Sequence, residues 1–204
     1  MRNVILAAAC LLVALPARAE VVATGDAGFV VRHAVEVTAG PDESWEELVK
    51  PARWWSGKHT YSGDAANLSL DALAGGCFCE VLLSEVSPRA APRGSVEHMR
   101  VVNAEQPRVL RLSGALGPLQ SEAVQGTLTV VLKPVDGGTR IMWEYVVGGY
   151  MRFPAAQMAP LVDVVIGEQL SRLAAKLGAK TPPAKPTAPP PAPPPPPKAP
   201  VEGR

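Results

Sequence analysis

The sequence predicts an α+β domain: a run of antiparallel strands closed by one long C-terminal helix. Three observations lead there. Several segments alternate apolar and polar residues with a period of two, as half-buried strands do. Gly- and Pro-containing turns separate them at short intervals, among them Gly75-Gly76, Gln106-Pro107 and Asp136-Gly137-Gly138. After Tyr150 the period changes: Met158, Leu161, Val162, Val165, Leu170, Leu173 and Leu177 recur at three- and four-residue steps.

The first 19 residues read as an export signal. Arg2 is a positive start, Val4 to Leu15 is an apolar stretch too short to span a bilayer, and Ala17-Arg18-Ala19 is a cleavage pattern. Cys10 lies in the apolar stretch and reads as one of its small residues. The expected mature protein is periplasmic or secreted and cut after Ala19. The chain has 20 basic and 19 acidic residues. Removing Arg2 and Arg18 leaves the rest near neutral, with no basic block, which argues against a nucleic-acid partner. No later apolar run is long enough for a membrane span.

The folded domain is expected over residues 20–178. Phe29, Val31, His33, Val35 and Val37 share one face of the first strand, and Arg32, Ala34 and Glu36 the other. Gly40-Pro41-Asp42 starts a short helix with Trp45, Leu48 and Val49 at helical spacing, and Pro51 ends it. Strands follow over Asn67 to Asp71, Cys77 to Val86, Ser95 to Asn103, Arg108 to Ser113, Gln125 to Val135 and Arg140 to Val147. Pro88 to Gly94 reads as an exposed loop. Asp136-Gly137-Gly138 is a hairpin turn. In the last strand Ile141, Trp143, Tyr145 and Val147 point inward and Arg140, Met142 and Glu144 outward. Gly148-Gly149-Tyr150 leaves the sheet, Pro154 opens the long helix and Gly178 stops it. Gly167, inside that helix, costs about 1 kcal/mol against Ala, which fits close approach of something bulky or a tolerated glycine. From Ala179 to Arg204 the chain is rich in Pro and Ala and is expected to be an extended, disordered tail. A solvated spacer is the favoured reading, and a docking arm for an envelope partner the sharper one.

The order strand, short helix, antiparallel strands, long helix resembles the helix-grip pattern of the START-like or SRPBCC superfamily. The resemblance rests on Val31 to Val37 before Trp45-Glu46-Glu47-Leu48, on Trp54-Trp55, Gly75-Gly76-Cys77-Phe78, Gly126-Thr127-Leu128-Thr129, Gly138-Thr139 to Tyr145, and the last helix. It covers Phe29 to Gly178. Trp54-Trp55-Ser56 with His59-Thr60-Tyr61-Ser62-Gly63 is similar to one exported bacterial branch. The resemblance implies a curved antiparallel sheet of about six or seven strands around the C-terminal helix, with a ligand cavity between them. The superfamily includes lipid-transfer proteins and polyketide cyclases and dehydrases, and has no shared catalytic motif.

Trp54 to Glu80 is the most chemically dense stretch. Trp54 and Trp55 are either a core plug or an aromatic gate. His59 and Asp64 lie in one loop with Tyr61 and Ser62, but no serine sits in a nucleophile elbow. Candidate cavity residues are His33, Trp54, Trp55, His59, Tyr61, Cys77, Cys79, Trp143, Tyr145, Tyr150, Met151, Met158 and Val162, because a small-molecule site is an apolar pocket with a few polar groups. Cys77 and Cys79 point the same way two residues apart, at a separation near 6.5–7 Å that strains a direct bond. Two buried thiols are favoured, a labile disulfide comes next, and a zinc site third, since His33, His59 and His98 lack ligand spacing. Periodicity puts His98 with Arg100 and Glu97 with Met99; a solvated face for His98 and Arg100 is favoured, because Arg100 is costly to bury.

The leading expectation is a binder of a hydrophobic small molecule or lipid, with neither cofactor nor metal. The alternative is a cyclase- or dehydrase-like enzyme in the same cavity using His33, His59 or Tyr145 for proton transfer. A third is a protein-interaction module acting through the Pro-rich tail.

Overall fold

The computed structural model describes residues 20–84 and 92–180. The export signal, part of the loop expected before Gly94 and nearly all of the Pro-rich tail lie outside the described residues. Strands β1 (Glu20–Gly25) and β2 (Gly28–Val37) precede helix α1 (Pro41–Leu48). Three 3-10 turns lead to β3 (Leu68–Leu70) and β4 (Cys77–Leu82). Then come β5 (Gly94–Glu105), β6 (Val109–Ser113), β7 (Ala123–Val135), β8 (Gly138–Tyr150) and helix α2 (Ala155–Lys176).

All eight strands form one sheet in the order β1-β2-β8-β7-β6-β5-β4-β3, and every pair in it is antiparallel. The fold is therefore α+β, with one large antiparallel sheet and one long C-terminal helix. Among the described residues it has eight strands, against the six or seven expected. The extra strand is β1. It pairs along β2, but Val22 to Gly25 are exposed, so no buried face imprints an alternating pattern on it. A second difference is at the end of β8. Gly148, Gly149 and Tyr150 do not leave the sheet; they pair with Gln125, Val124 and Ala123 of β7.

The alternation in β2 and β8 holds. Phe29, Val31, His33, Val35 and Val37 are buried, as are Ile141, Trp143, Tyr145 and Val147. On the outer face Arg32 pairs with Glu144. The two strands are register neighbours, with His33 opposite Trp143.

Two covers share the inner face. Helix α2 packs chiefly on β2, with further contact to β1. It buries Met158, Ile166, Leu170 and Leu173, and its 22 residues give a length of about 33 Å. Gly178, at φ 70°, ends it in the left-handed conformation that glycine adopts readily. Ala179 bridges to Val37, and the Lys180 N–H donates to Glu36 O, so the first residues past the helix run back along β2. Helix α1 and the turn Pro51–Arg53 cover the other part, reaching β3, β7 and β8.

Candidate functional site

The second cover ends in Trp54 and Trp55, both buried. The turn that delivers them is closed by the Trp55 N–H donating to Pro51 O at 2.9 Å. The Trp54 indole N–H donates to Glu47 O at 2.9 Å, and that of Trp55 to His59 O at 3.1 Å. Their rings meet the sheet edge-on: Trp54 against Trp143 at 5.7 Å between centroids, Trp55 against Phe78 at 5.3 Å. Such contacts add to the area that aromatic rings bury.

Beneath these rings is a cavity of about 30 Å³. Leu48, Pro51, Trp54 and Trp55 form its roof, and Leu70, Phe78, Leu110, Leu112, Leu128, Val130 and Trp143 its floor and walls. None of these side chains is charged. The floor comes from β3, β4, β6, β7 and β8. No α2 residue lines it, so the cavity lies between the sheet and the first cover. The resemblance had implied one between the sheet and the C-terminal helix. The reason is geometric: α2 sits over β2 and β1, at the other end of the strand order.

Helix α2 acts on this site from the side by holding its roof. Gln169 Oε1 accepts the Ser56 N–H at 2.8 Å. Arg172 Nε donates to Trp54 O at 2.7 Å. Glu168 Oε2 lies 3.0 Å from His59 Nε2. Burial pushes the Glu168 carboxyl up, but hydrogen bonds from His59 and Ser56 and the charges of His59 and Arg172 outweigh it and hold it below its ordinary value.

The expected residues divide accordingly. Trp54, Trp55 and Trp143 line the cavity. His33 is buried but lies under α2, with Nε2 2.8 Å from Asp163 Oδ1. Its ring explains Gly167: a β-carbon there would stand 2.7 Å from His33 Cε1. His59 is a tie to α2. Tyr61 is 50% exposed, and its hydroxyl donates to Gly117 O at 3.1 Å. Tyr145 is fully buried; its hydroxyl accepts the Leu116 N–H at 3.1 Å and donates to Gly114 O at 3.3 Å. Burial pushes that phenol up to about 12, against the lowering effect of the Leu116 bond. Tyr145 therefore ties down the chain after β6. Tyr150 is 72% exposed. Met151, Met158 and Val162 pack on the core near α2. The polar groups expected to converge on one cavity are spread over separate places.

Cys77 and Cys79 do not line the cavity either. Phe78 and Glu80 take the inner face of β4, which turns the cysteines outward, half-buried and joined by a disulfide. Their Cα atoms are 5.4 Å apart, inside the range a disulfide spans and shorter than the regular strand spacing that had favoured free thiols.

One buried polar cluster escaped the pattern reading. Glu80, with no exposed surface, accepts the backbone N–H groups of Tyr61 and Ser62 and lies 2.9 Å from His98 Nε2. A bulge accounts for it. Phe78 faces Met99 but Cys79 faces Glu97, so His98 is an extra residue in β5. His98 and Met99 are consequently both buried, while Glu97 and Arg100 pair on the outer face. The solvated face expected for Arg100 holds; the one expected for His98 does not. A bulge resets the period of two, and no glycine or proline marks it.

Among the described residues no three His, Cys, Asp or Glu side chains form a group able to hold a metal ion, and no helix is long and apolar enough to cross a membrane.

No family model matches the chain, and no curated protein does. Solved structures do. The protein Mll3558 from Rhizobium loti is 19% identical with a TM-score of 0.50, covering 72% of this chain and 96% of its own. MLL2253 from Mesorhizobium loti is 14% identical with a TM-score of 0.50, over 72% and 94%. An uncharacterised protein from Rhizobium leguminosarum is 15% identical with a TM-score of 0.50, over 72% and 93%. At these identities the likeness is one of fold alone, and it supports a helix-grip-like architecture.

Proposed function

We propose that this chain is a binding module for an apolar small molecule, taken up in the aromatic cavity beneath Trp54 and Trp55. The observation behind the reading is the convergence of Trp54, Trp55, Trp143 and Phe78 on an uncharged cavity. A wholly apolar wall suits a ligand with an apolar body.

The cavity sets a condition. About 30 Å³ is room for one water, far below the volume of an ordinary ligand site. Uptake therefore requires the Trp54-Trp55 roof to lift, which makes the pair a gate in this reading. The roof is a short turn tied by a few polar bonds, so it can move without breaking the sheet. The proton-transfer reading draws no support from the geometry, because neither His33, His59 nor Tyr145 reaches the cavity wall. Export remains part of the proposal and rests on residues 1–19; the Pro-rich tail is read as a solvated spacer, with docking to an envelope partner as the alternative.

Titration of the purified chain with N-phenyl-1-naphthylamine tests the reading. Saturable binding with quenching of tryptophan emission is expected, and Leu128→Phe, which fills the cavity from β7, should abolish it while the protein stays folded. Absence of saturable binding, or binding indifferent to Leu128→Phe, would sink the proposal. Native mass spectrometry of the chain from its own host, followed by organic extraction, would then identify the ligand class.

A further inference from the structure

The Cys77–Cys79 disulfide does little that a structural cross-link usually does. It joins residues two apart, so the loop it closes holds a single intervening residue, and the unfolded chain loses little freedom. Both cysteines lie in β4, whose backbone is already held by β3 on one side and β5 on the other. The bond is also accessible, since both residues are half-buried on the outer face, away from the cavity. Its neighbours there are polar: Cys77 is opposite Arg100, and Cys79 is opposite Glu97 on one side and Ser69 on the other. Opposed side chains on one face of an antiparallel pair lie within contact range.

We propose that Cys77 and Cys79 form a two-electron redox site that exchanges with external thiols, a dithiol being its substrate class, while the fold stays intact. The neighbours give the exchange a direction. A thiolate leaves best on the side of a positive charge, and Arg100, whose guanidinium also pairs with Glu97, stands opposite Cys77, while the Glu97 carboxylate stands opposite Cys79. The external thiolate attacks Cys79 Sγ. The Cys77–Cys79 bond breaks, a bond from Cys79 Sγ to the substrate sulfur forms, and Cys77 departs as thiolate. The second thiolate of the dithiol then attacks the substrate sulfur of the mixed disulfide and displaces Cys79. The dithiol leaves as a disulfide, oxidised by two electrons. The cysteine pair gains those electrons, and the two protons given up by the dithiol end on Cys77, Cys79 or solvent.

The test uses reduced glutathione as the probe on the native chain. After quenching and alkylation, the peptide carrying Cys77 and Cys79 is weighed, and near-ultraviolet circular dichroism is followed in parallel. The expected result is two alkyl groups on that peptide with an unchanged spectrum. In the single variant Cys77→Ser, offered oxidised glutathione instead, the Cys79 thiolate should attack the glutathione disulfide, forming a mixed disulfide and releasing one reduced glutathione. A bond that glutathione leaves intact until denaturant is added would overturn the proposal. So would loss of the tertiary spectrum on reduction, or a Cys79 that forms no adduct in folded Cys77→Ser.

Discussion

Glu80 and His98 show how much one buried pair decides. The carboxylate has no exposed surface and is held by Tyr61, Ser62 and His98. Burial pushes it up, but these hydrogen bonds prevail and hold it below its ordinary value of 4.5. Burial pulls His98 below its ordinary 6.5, despite the opposing bond and charge of Glu80. Both shifts act on stability in the same sense. The unfolded chain binds a proton on His98 below about pH 6.5, and the folded chain resists until lower pH, so stability falls as pH drops through that window. Glu80 adds a second loss: its contribution is complete above the unfolded value near 4.5 and disappears as pH falls through the lower folded value. Denaturant midpoints should therefore decline from pH 7.5 to 5.5 and decline further below 4.5, and His98→Gln should flatten the first part. A constant midpoint across pH 5–7 would contradict this. Glu80→Ala leaves two part-buried backbone N–H groups and a buried histidine without their acceptor. The expected loss is about 3 kcal/mol, measured by chemical denaturation at pH 7.

Helix α2 and strand β2 meet at a glycine for a reason that helix propensity hides. Ala is about 1 kcal/mol better than Gly in a helix, so Gly167→Ala on an open surface would stabilise. Here the added methyl group would stand 2.7 Å from the His33 ring, which is itself fixed by Asp163. Gly167→Ala is expected to destabilise by about 1–3 kcal/mol, as overpacking does. In a His33→Ala background the same change should be neutral or stabilising. A double-mutant cycle measures the difference, and additive effects would show that ring and glycine do not press on each other. The same pair marks what the sequence could disclose. His33 on the inner face of β2 was legible from alternation, and so were the inward rows of β8 and the extent of α2, because one buried face imposes a period. Which residue approached Gly167 was not legible, since the partner is more than a hundred residues away. The edge strand β1 was hidden because its exposed side chains carry no period. The bulge at His98 was hidden because it shifts the period within a strand and leaves no turn residue behind. Of the site, the three tryptophans were legible by type. That α2 leaves them to α1 depends on where each cover lands across eight strands, which no local pattern records.

Across the whole molecule, the division of the inner face between two covers sets how the cavity can open. The sheet beneath is continuous, with β8 paired to β7 over thirteen positions, so the floor is rigid. The roof is anchored at its start by α1 and at its end by α2, and the α2 anchor includes two polar bonds to backbone atoms, Gln169 to Ser56 and Arg172 to Trp54, beside the Glu168–His59 pair. A charge-assisted hydrogen bond contributes about 1.5–3 kcal/mol. Removing the Arg172 bond should thus raise the open population of the roof at least tenfold, since 1.4 kcal/mol is a factor of ten. If ligand entry waits on that opening, Arg172→Ala should speed association of N-phenyl-1-naphthylamine by about tenfold in stopped flow and leave the number of binding sites unchanged. Arg172 also touches Trp55 O, at 3.5 Å, so Gln169→Ala is the independent control. It loosens the same roof at Ser56 and should speed entry in the same direction. Faster entry in both variants would assign α2 the task of latching the gate. An association rate unmoved by either would mean that the roof opens from its α1 end, and the bond from the Trp54 indole to Glu47 would become the one to break.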